Sequence, residues 1–72
     1  MAEQSSVYVV NEIVGTSPDS WEDAARAAVE TASKSLRDLR VAEVVRMDVT
    51  IDGGGVALFR TRLNVSFKYE SD

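Results

Sequence analysis

Seventy-two residues make one small domain, and a chain of this size buries only about 60% of the surface that its unfolded form exposes. Twelve acidic against eight basic residues give a formal net charge of −4, which disfavours nucleic acid, since phosphate-backbone binding depends on Lys and Arg. The absence of Cys and His excludes disulfide stapling and the commonest nucleophile and base constellations, so an enzyme is not expected. In chain order, Val7-Tyr-Val-Val-Asn-Glu-Ile-Val14 is rich in β-branched and aromatic residues and reads as the first strand, with Gly15-Thr-Ser-Pro18 as its stop signal. Val7, Val9 and Ile13 on one face and Tyr8, Val10 and Val14 on the other are all apolar. Both faces are therefore expected to be covered, one by this chain's helix and the other by another subunit.

Ser20-Trp-Glu-Asp23 has the form of a helix start, with Ser20 as N-cap and two acidic residues in the first turn. The helix is expected to run to about Leu39, burying a stripe of Trp21, Ala25, Ala28, Val29, Ala32, Leu36 and Leu39. Glu22 with Arg26, and Glu30 with Lys34, stand at i,i+4 on the opposite side. The alanines let the helix lie close to a sheet.

Val41 to Ile51 is read as the second strand, Asp52-Gly-Gly-Gly55 as a turn able to take positive φ, and Val56 to Tyr69 as the third. Ala57, Phe59, Leu63, Val65, Phe67 and Tyr69 share one face with Thr61, while Arg60, Arg62, Asn64, Ser66 and Lys68 share the other. The apolar face is expected to pack under the helix. The tails, 1–6 and 70–72, are short and polar and are expected to fray. With no linker or repeat, 1–72 reads as a single domain. No apolar run approaches the roughly 18 residues that a membrane span needs. Neither membrane insertion nor export is indicated, so a cytoplasmic location follows by default.

Several short patterns have ordinary explanations. Thr16-Ser-Pro-Asp-Ser20 before a helix reads as a turn with a cap rather than as an anion site. Gly53-Gly-Gly55 lacks the Lys-Ser/Thr of a phosphate loop and joins two strands, so it reads as a hairpin turn. Glu12, Glu43, Asp48 and Asp52 lie on or beside strands and are the candidate oxygen ligands for calcium or magnesium. No local calcium-loop spacing accompanies them, but a symmetric assembly multiplies any single carboxylate around its axes. Arg60 and Arg62 are expected to pair with Glu12, Glu43 or Asp48 across the sheet.

The order strand, helix, long hairpin, together with Glu12-Ile-Val-Gly-Thr-Ser-Pro18, Trp21, Ala42-Glu-Val-Val45 and Val65-Ser-Phe67, resembles the dodecin family over nearly the whole chain. The resemblance implies an α+β fold, β-α-β-β, with a three-stranded antiparallel sheet wrapped around one helix and a hollow homododecamer as the assembly. It also implies small-ligand binding between subunits, in many members of flavin, stacked on a Trp that opens strand two and held at its edge by a Gln in strand three. Val41 and Arg60 occupy those two positions here. Valine offers no flat aromatic contact and arginine changes size and charge, so flavin binding is expected to be weakened or lost. The resulting expectation is a non-enzymatic binding or storage shell whose partners are its own copies and a small molecule or cation. The alternative is a calcium- or magnesium-binding, or purely structural, dodecamer.

Overall fold

The computed structural model describes residues 5–68. The expectations for Tyr69 and for most of the tails lie outside these residues. Strand β1 (Tyr8–Ser17), helix α1 (Trp21–Ala32) and strands β2 (Leu39–Asp52) and β3 (Gly55–Lys68) follow one another in the expected β-α-β-β order. The sheet is antiparallel with β3 in the middle, in the order β1-β3-β2. Among the described residues, no helix is long and apolar enough to cross a membrane.

Beyond its expected end at Val14, β1 continues through Gly15-Thr-Ser17, with Ser17 opposite Phe59. The glycine is needed there for a close approach rather than for a turn. A Cβ on Gly15 would run into the Ala24 carbonyl oxygen and come within 2.8 Å of Ala28 Cβ. Small residues on both sides thus let α1 settle directly onto β1. Behind it, Ser17 is 2% exposed. Its hydroxyl donates to the Asp23 carboxylate at 2.8 Å and accepts from the Asp19 amide at 2.9 Å. Ser20 caps the helix as expected, its Oγ accepting from the Asp23 amide at 3.0 Å.

The helix ends at Ala32, seven residues short of the expected Leu39. Ser33 turns its hydroxyl back onto the Val29 carbonyl at 2.8 Å. Lys34 and Ser35 then bond three residues back, tightening the last turn. Asp38, at φ 58°, finishes the reversal. Leu39 therefore opens β2 and does not extend the helical stripe. The stripe is also rotated: Ala24 and Ala28 are the buried pair, and Trp21, Ala25 and Val29 are half-buried on the flank toward β2. Arg26 lies 3.8 Å from Asp23 at i,i+3, while Lys34 falls beyond the helix, so neither expected i,i+4 pair forms in the described residues.

Helix-side positions of β3 form the floor of the core, with Thr61, Leu63 and Val65 at 1–2% exposed. Ala57, expected on this floor, lies near the hairpin end beyond the reach of β1 and is exposed. Helix α1 lies over β1 and β3 and barely reaches β2. Val44 and Met47, which oppose Leu63 and Thr61, consequently stay about half exposed. The two hairpin strands join through Gly53 and Gly54, at φ 59° and 80°, the positive pair that a two-residue turn requires.

Candidate functional site

Residues directly opposite one another in a sheet project to the same side, so the register defines the sheet face turned away from α1. Its rows run Val10, Ser66, Val41, then Glu12, Asn64, Glu43, then Val14, Arg62, Arg46, then Thr16, Arg60, Asp48. An extra residue in β2, Val45, lies between the second and third rows and keeps Glu43 and Arg46 on neighbouring rows of this face.

Two ion pairs cross these rows. Arg60 grips Asp48 with both ends of its fork, Nε to Oδ1 at 2.7 Å and Nη2 to Oδ2 at 2.9 Å. This geometry is the strong, planar form of an arginine–carboxylate pair. The hydrogen bond from Arg60 and the positive charges of Arg60, Arg62 and Arg46 hold the Asp48 carboxyl below its ordinary value. Asp48 in turn raises Arg60. Arg62 reaches Glu12 in the other direction, at 3.3 Å in an exposed single contact. The expected cross-strand pairing is thus found, with Asp48 and Glu12 as acceptors.

The Asp48 backbone is tied to the far side of the sheet as well. Trp21 Nε1 donates to the Asp48 carbonyl at 3.0 Å, and its ring meets Phe59 edge-on at 4.9 Å between centroids. Thr61 Oγ1 donates to the Trp21 carbonyl at 2.9 Å. The single tryptophan therefore serves as a bracket between the helix start and the Asp48–Arg60 row, through contacts that are structural.

Comparison with known proteins assigns the fold a family. The Dodecin family model matches residues 7–70. The chain belongs to the dodecin family. A curated relative, calcium dodecin from Mycobacterium tuberculosis, is 51% identical over 63 residues, covering 88% of this chain and 89% of the relative. The solved structure of dodecin from Streptomyces coelicolor is similar with a TM-score of 0.89 at 38% identity, covering 97% of this chain and all of that one. The crystal structure of the calcium-chelating calcium dodecin from Mycobacterium tuberculosis, described as having a novel calcium-binding site, has a TM-score of 0.81 at 48% identity. It covers 93% of this chain and 96% of that one.

Within this dodecin subunit the two positions singled out for a ligand are far apart. Val41 is opposite Ser66 and Arg60 is opposite Asp48, six residues away along β3, which is roughly 20 Å at about 3.4 Å per residue. Val41 is 61% exposed, with its carbonyl accepting from Ser66 Oγ at 3.4 Å. The four carboxylate candidates do not converge either. Asp48 and Glu12 are engaged by arginines, Glu43 lies on the second row across Asn64 from Glu12, and Asp52 closes the hairpin turn opposite Gly55. Among the described residues, no three His, Cys, Asp or Glu side chains come together to hold a metal ion. Sequence reasoning placed Asn64 on the face of Arg60 and Arg62 but missed Arg46 as a member of the same patch, because the irregularity at Val45 shifts the alternation of β2 and leaves no mark in the sequence.

Proposed function

We propose that this dodecin is a non-catalytic subunit of a hollow homododecamer that binds and stores a small ligand between subunits, with flavin binding weakened or lost. The observation that carries this reading is the state of the two ligand positions. Val41 offers an exposed branched aliphatic side chain where a flat aromatic would be needed. Arg60 has its guanidinium fork committed to Asp48 rather than open to a ring edge. The residues present do not fit the isoalloxazine group. Among the described residues, ten large apolar side chains are more than 40% exposed in the single subunit, Ile51, Val7 and Val41 foremost, and they support the assembly.

Riboflavin fluorescence titration is the direct test, since stacking quenches the flavin. The unmodified protein is expected to leave submicromolar riboflavin unquenched, and tight quenching would overturn this reading. The variant Val41→Trp/Arg60→Gln is expected to gain more than tenfold in affinity, which corresponds to about 1.4 kcal/mol. Because Arg60→Gln strands the Asp48 carboxylate, adding Asp48→Asn is expected to raise the gain further.

A second reading, binding of a divalent cation such as calcium, is favoured by the 51% identity to a protein named calcium dodecin. Glu43 and Asp52 have no cationic partner within 4.0 Å among the described residues, so they are the carboxylates still available to a hard cation. Calorimetric titration of calcium into the chelator-stripped assembly tests it. Heat that is lost in Glu43→Gln or Asp52→Asn supports the reading, and the absence of saturable heat rules it out.

A further inference from the structure

The turn between β2 and β3 joins an aspartate to a glycine at a point where neither is protected. Asp52 ends β2 opposite Gly55, and the loop between them is Gly53-Gly54. Both loop glycines have positive φ, 59° and 80°, a conformation that side chains oppose and glycine accepts. The hairpin therefore demands a glycine directly after Asp52. Residues 52 to 55 are all exposed. Among the described residues the Asp52 carboxylate has no ion-pair partner, and the Gly53 amide donates no backbone hydrogen bond. Apart from its chain neighbours, no heavy atom lies within 4 Å of the place a Cβ would take on Gly53.

The Gly53 nitrogen and the Asp52 side-chain carbonyl carbon, Cγ, are placed by the chain to close a five-membered ring. The nitrogen attacks Cγ of the protonated carboxyl group. The N–Cγ bond forms, the amide proton and the carboxyl hydroxyl leave together as one water, and a succinimide results. Water then adds back to either ring carbonyl. Addition at Cγ breaks the new bond and restores aspartate. Addition at the main-chain carbonyl breaks the original peptide bond and leaves the chain running through Cβ and Cγ, as isoaspartate. One water leaves and one returns, so the mass is unchanged and no other reactant is needed.

The remaining aspartates within the described residues lack this combination. Asp48 is held at both oxygens by Arg60 and is followed by the β-branched Val49, which crowds the attacking nitrogen. Asp23 accepts from Ser17 and sits in the first turn of α1, followed by Ala24. Asp19 and Asp38 are followed by Ser20 and Leu39. We propose that the Asp52–Gly53 bond is a self-modification site of the folded protein, converting to isoaspartate through the succinimide. The conversion adds one carbon to the main chain at the turn that sets the β2–β3 register. It also moves the carboxylate from the side chain onto the α-carbon, which displaces one of the two candidate oxygen ligands for a hard cation. The site is independent of what the shell stores.

The test is a timed incubation of the assembled protein at physiological temperature, followed by trypsin digestion. Cleavage after Arg46 and Arg60 releases a peptide of residues 47–60 that carries both Asp48 and Asp52, so the protected aspartate is the internal control. Chromatography resolves the isoaspartyl peptide, and electron-transfer fragmentation locates it by cleavage of the Cα–Cβ bond that isoaspartate places in the main chain. Isoaspartate is expected to accumulate with time at position 52 and to be undetectable at position 48. Asp52→Glu, which would need a six-membered ring, is expected to lose the signal, and Asp52→Asn to form isoaspartate faster, with loss of the amide as ammonia. Both changes leave the glycine turn intact, and sedimentation checks that each variant assembles as the unmodified protein does. A parallel incubation in urea gives the unfolded chain's behaviour. Isoaspartate at position 52 in urea but not in the assembled protein overturns the proposal, as does equal conversion at positions 48 and 52 in the assembled protein.

Discussion

Strands β1 and β2 flank the same central strand, are both rich in valine, and differ in what covers them. Against β1 the helix comes so close that Gly15 has no room for a Cβ, and the positions of β1 under the helix grade from half-buried Val9 to buried Ser17. Against β2 it leaves Val44 and Met47 about half exposed over a floor of Leu63 and Thr61. Sequence hydrophobicity alone does not separate the two strands. The subunit completes its own core on the β1 side, and on the β2 side it presents apolar surface that only another chain would cover. Association, on this view, is a continuation of folding for a chain whose fully buried apolar residues number just Ala24, Ala28, Leu63 and Val65 among those described.

Leu63 and Val44 make that comparison measurable, because they are direct cross-strand partners. Leu63→Ala removes a side chain that is 2% exposed and is expected to cost about 2–5 kcal/mol, the range for large-to-small changes in a core. Val44→Ala, on a residue 49% exposed in the subunit, is expected to cost under about 1.5 kcal/mol in a dissociated subunit. It should instead lower the concentration stability of the assembly. Chemical denaturation followed at several protein concentrations separates the two. Equal costs independent of concentration would mean that β2 is as enclosed as β3.

On the β1 side the corresponding probe is Gly15→Ala. The added methyl must displace helix backbone rather than a flexible side-chain end, so a loss of about 1–3 kcal/mol is expected, as for other overpacked cores. The same change at Gly55, which has open space around it and no positive φ, is expected to be close to neutral. Thermal melts of the two variants side by side test whether the tight contact is real.

Much of this was legible from the residues. Element order, the Ser20 cap, the glycine turn and the helix-side pattern Thr61, Leu63, Val65 follow from period and capping chemistry. What escaped has a common cause. Gly15 reads as a chain breaker, but its purpose is proximity to Ala24 and Ala28, which lie nine and thirteen residues away. Leu36 and Leu39 keep helical spacing, but Ser33 offers the backbone a local side-chain bond and Asp38 takes a left-handed turn, neither of which spacing registers. Val41 and Arg60 look like one site by family resemblance, and only the pairing register shows them to be six residues apart along β3. Tertiary register is set by contacts across the sheet, and two shifts in β2 before Asp48 alter the simple alternation.

The two ion pairs on the outer face sharpen the comparison at smaller scale. Asp48 is gripped bidentately and its carboxyl is held below the ordinary value, first by the hydrogen bond from Arg60. A carboxyl whose folded value is depressed stabilises the fold above its unfolded value of about 3.9 and loses that contribution as pH falls through the folded value. Asp48→Asn is therefore expected to be less stable than the unmodified protein at neutral pH, with the gap closing below about pH 4. Denaturation midpoints across pH 2.5 to 7 would show it. A gap that persists unchanged to the lowest pH would assign the loss to packing around Trp21 instead of to charge.

Glu12 on β1 should behave differently, although it too faces an arginine. Its contact with Arg62 is a single one at 3.3 Å, exposed, with 51% of the Glu12 side-chain surface open to solvent. A pair of this kind gains little Coulomb energy in high dielectric, costs side-chain entropy, and is screened by salt. Arg62 is also directly opposite Arg46, so Glu12 offsets a repulsion rather than adding a free-standing attraction. Both considerations put Glu12→Gln within about 0.2–1 kcal/mol of the unmodified protein at low ionic strength. The difference should shrink further at about 1 M salt, where the Debye length falls to roughly 3 Å. Asp48→Asn, measured in parallel, should keep more of its deficit at high salt, because its hydrogen-bonded fork does not depend on long-range charge. If both variants respond equally to salt, the bidentate geometry confers no advantage over the single exposed contact.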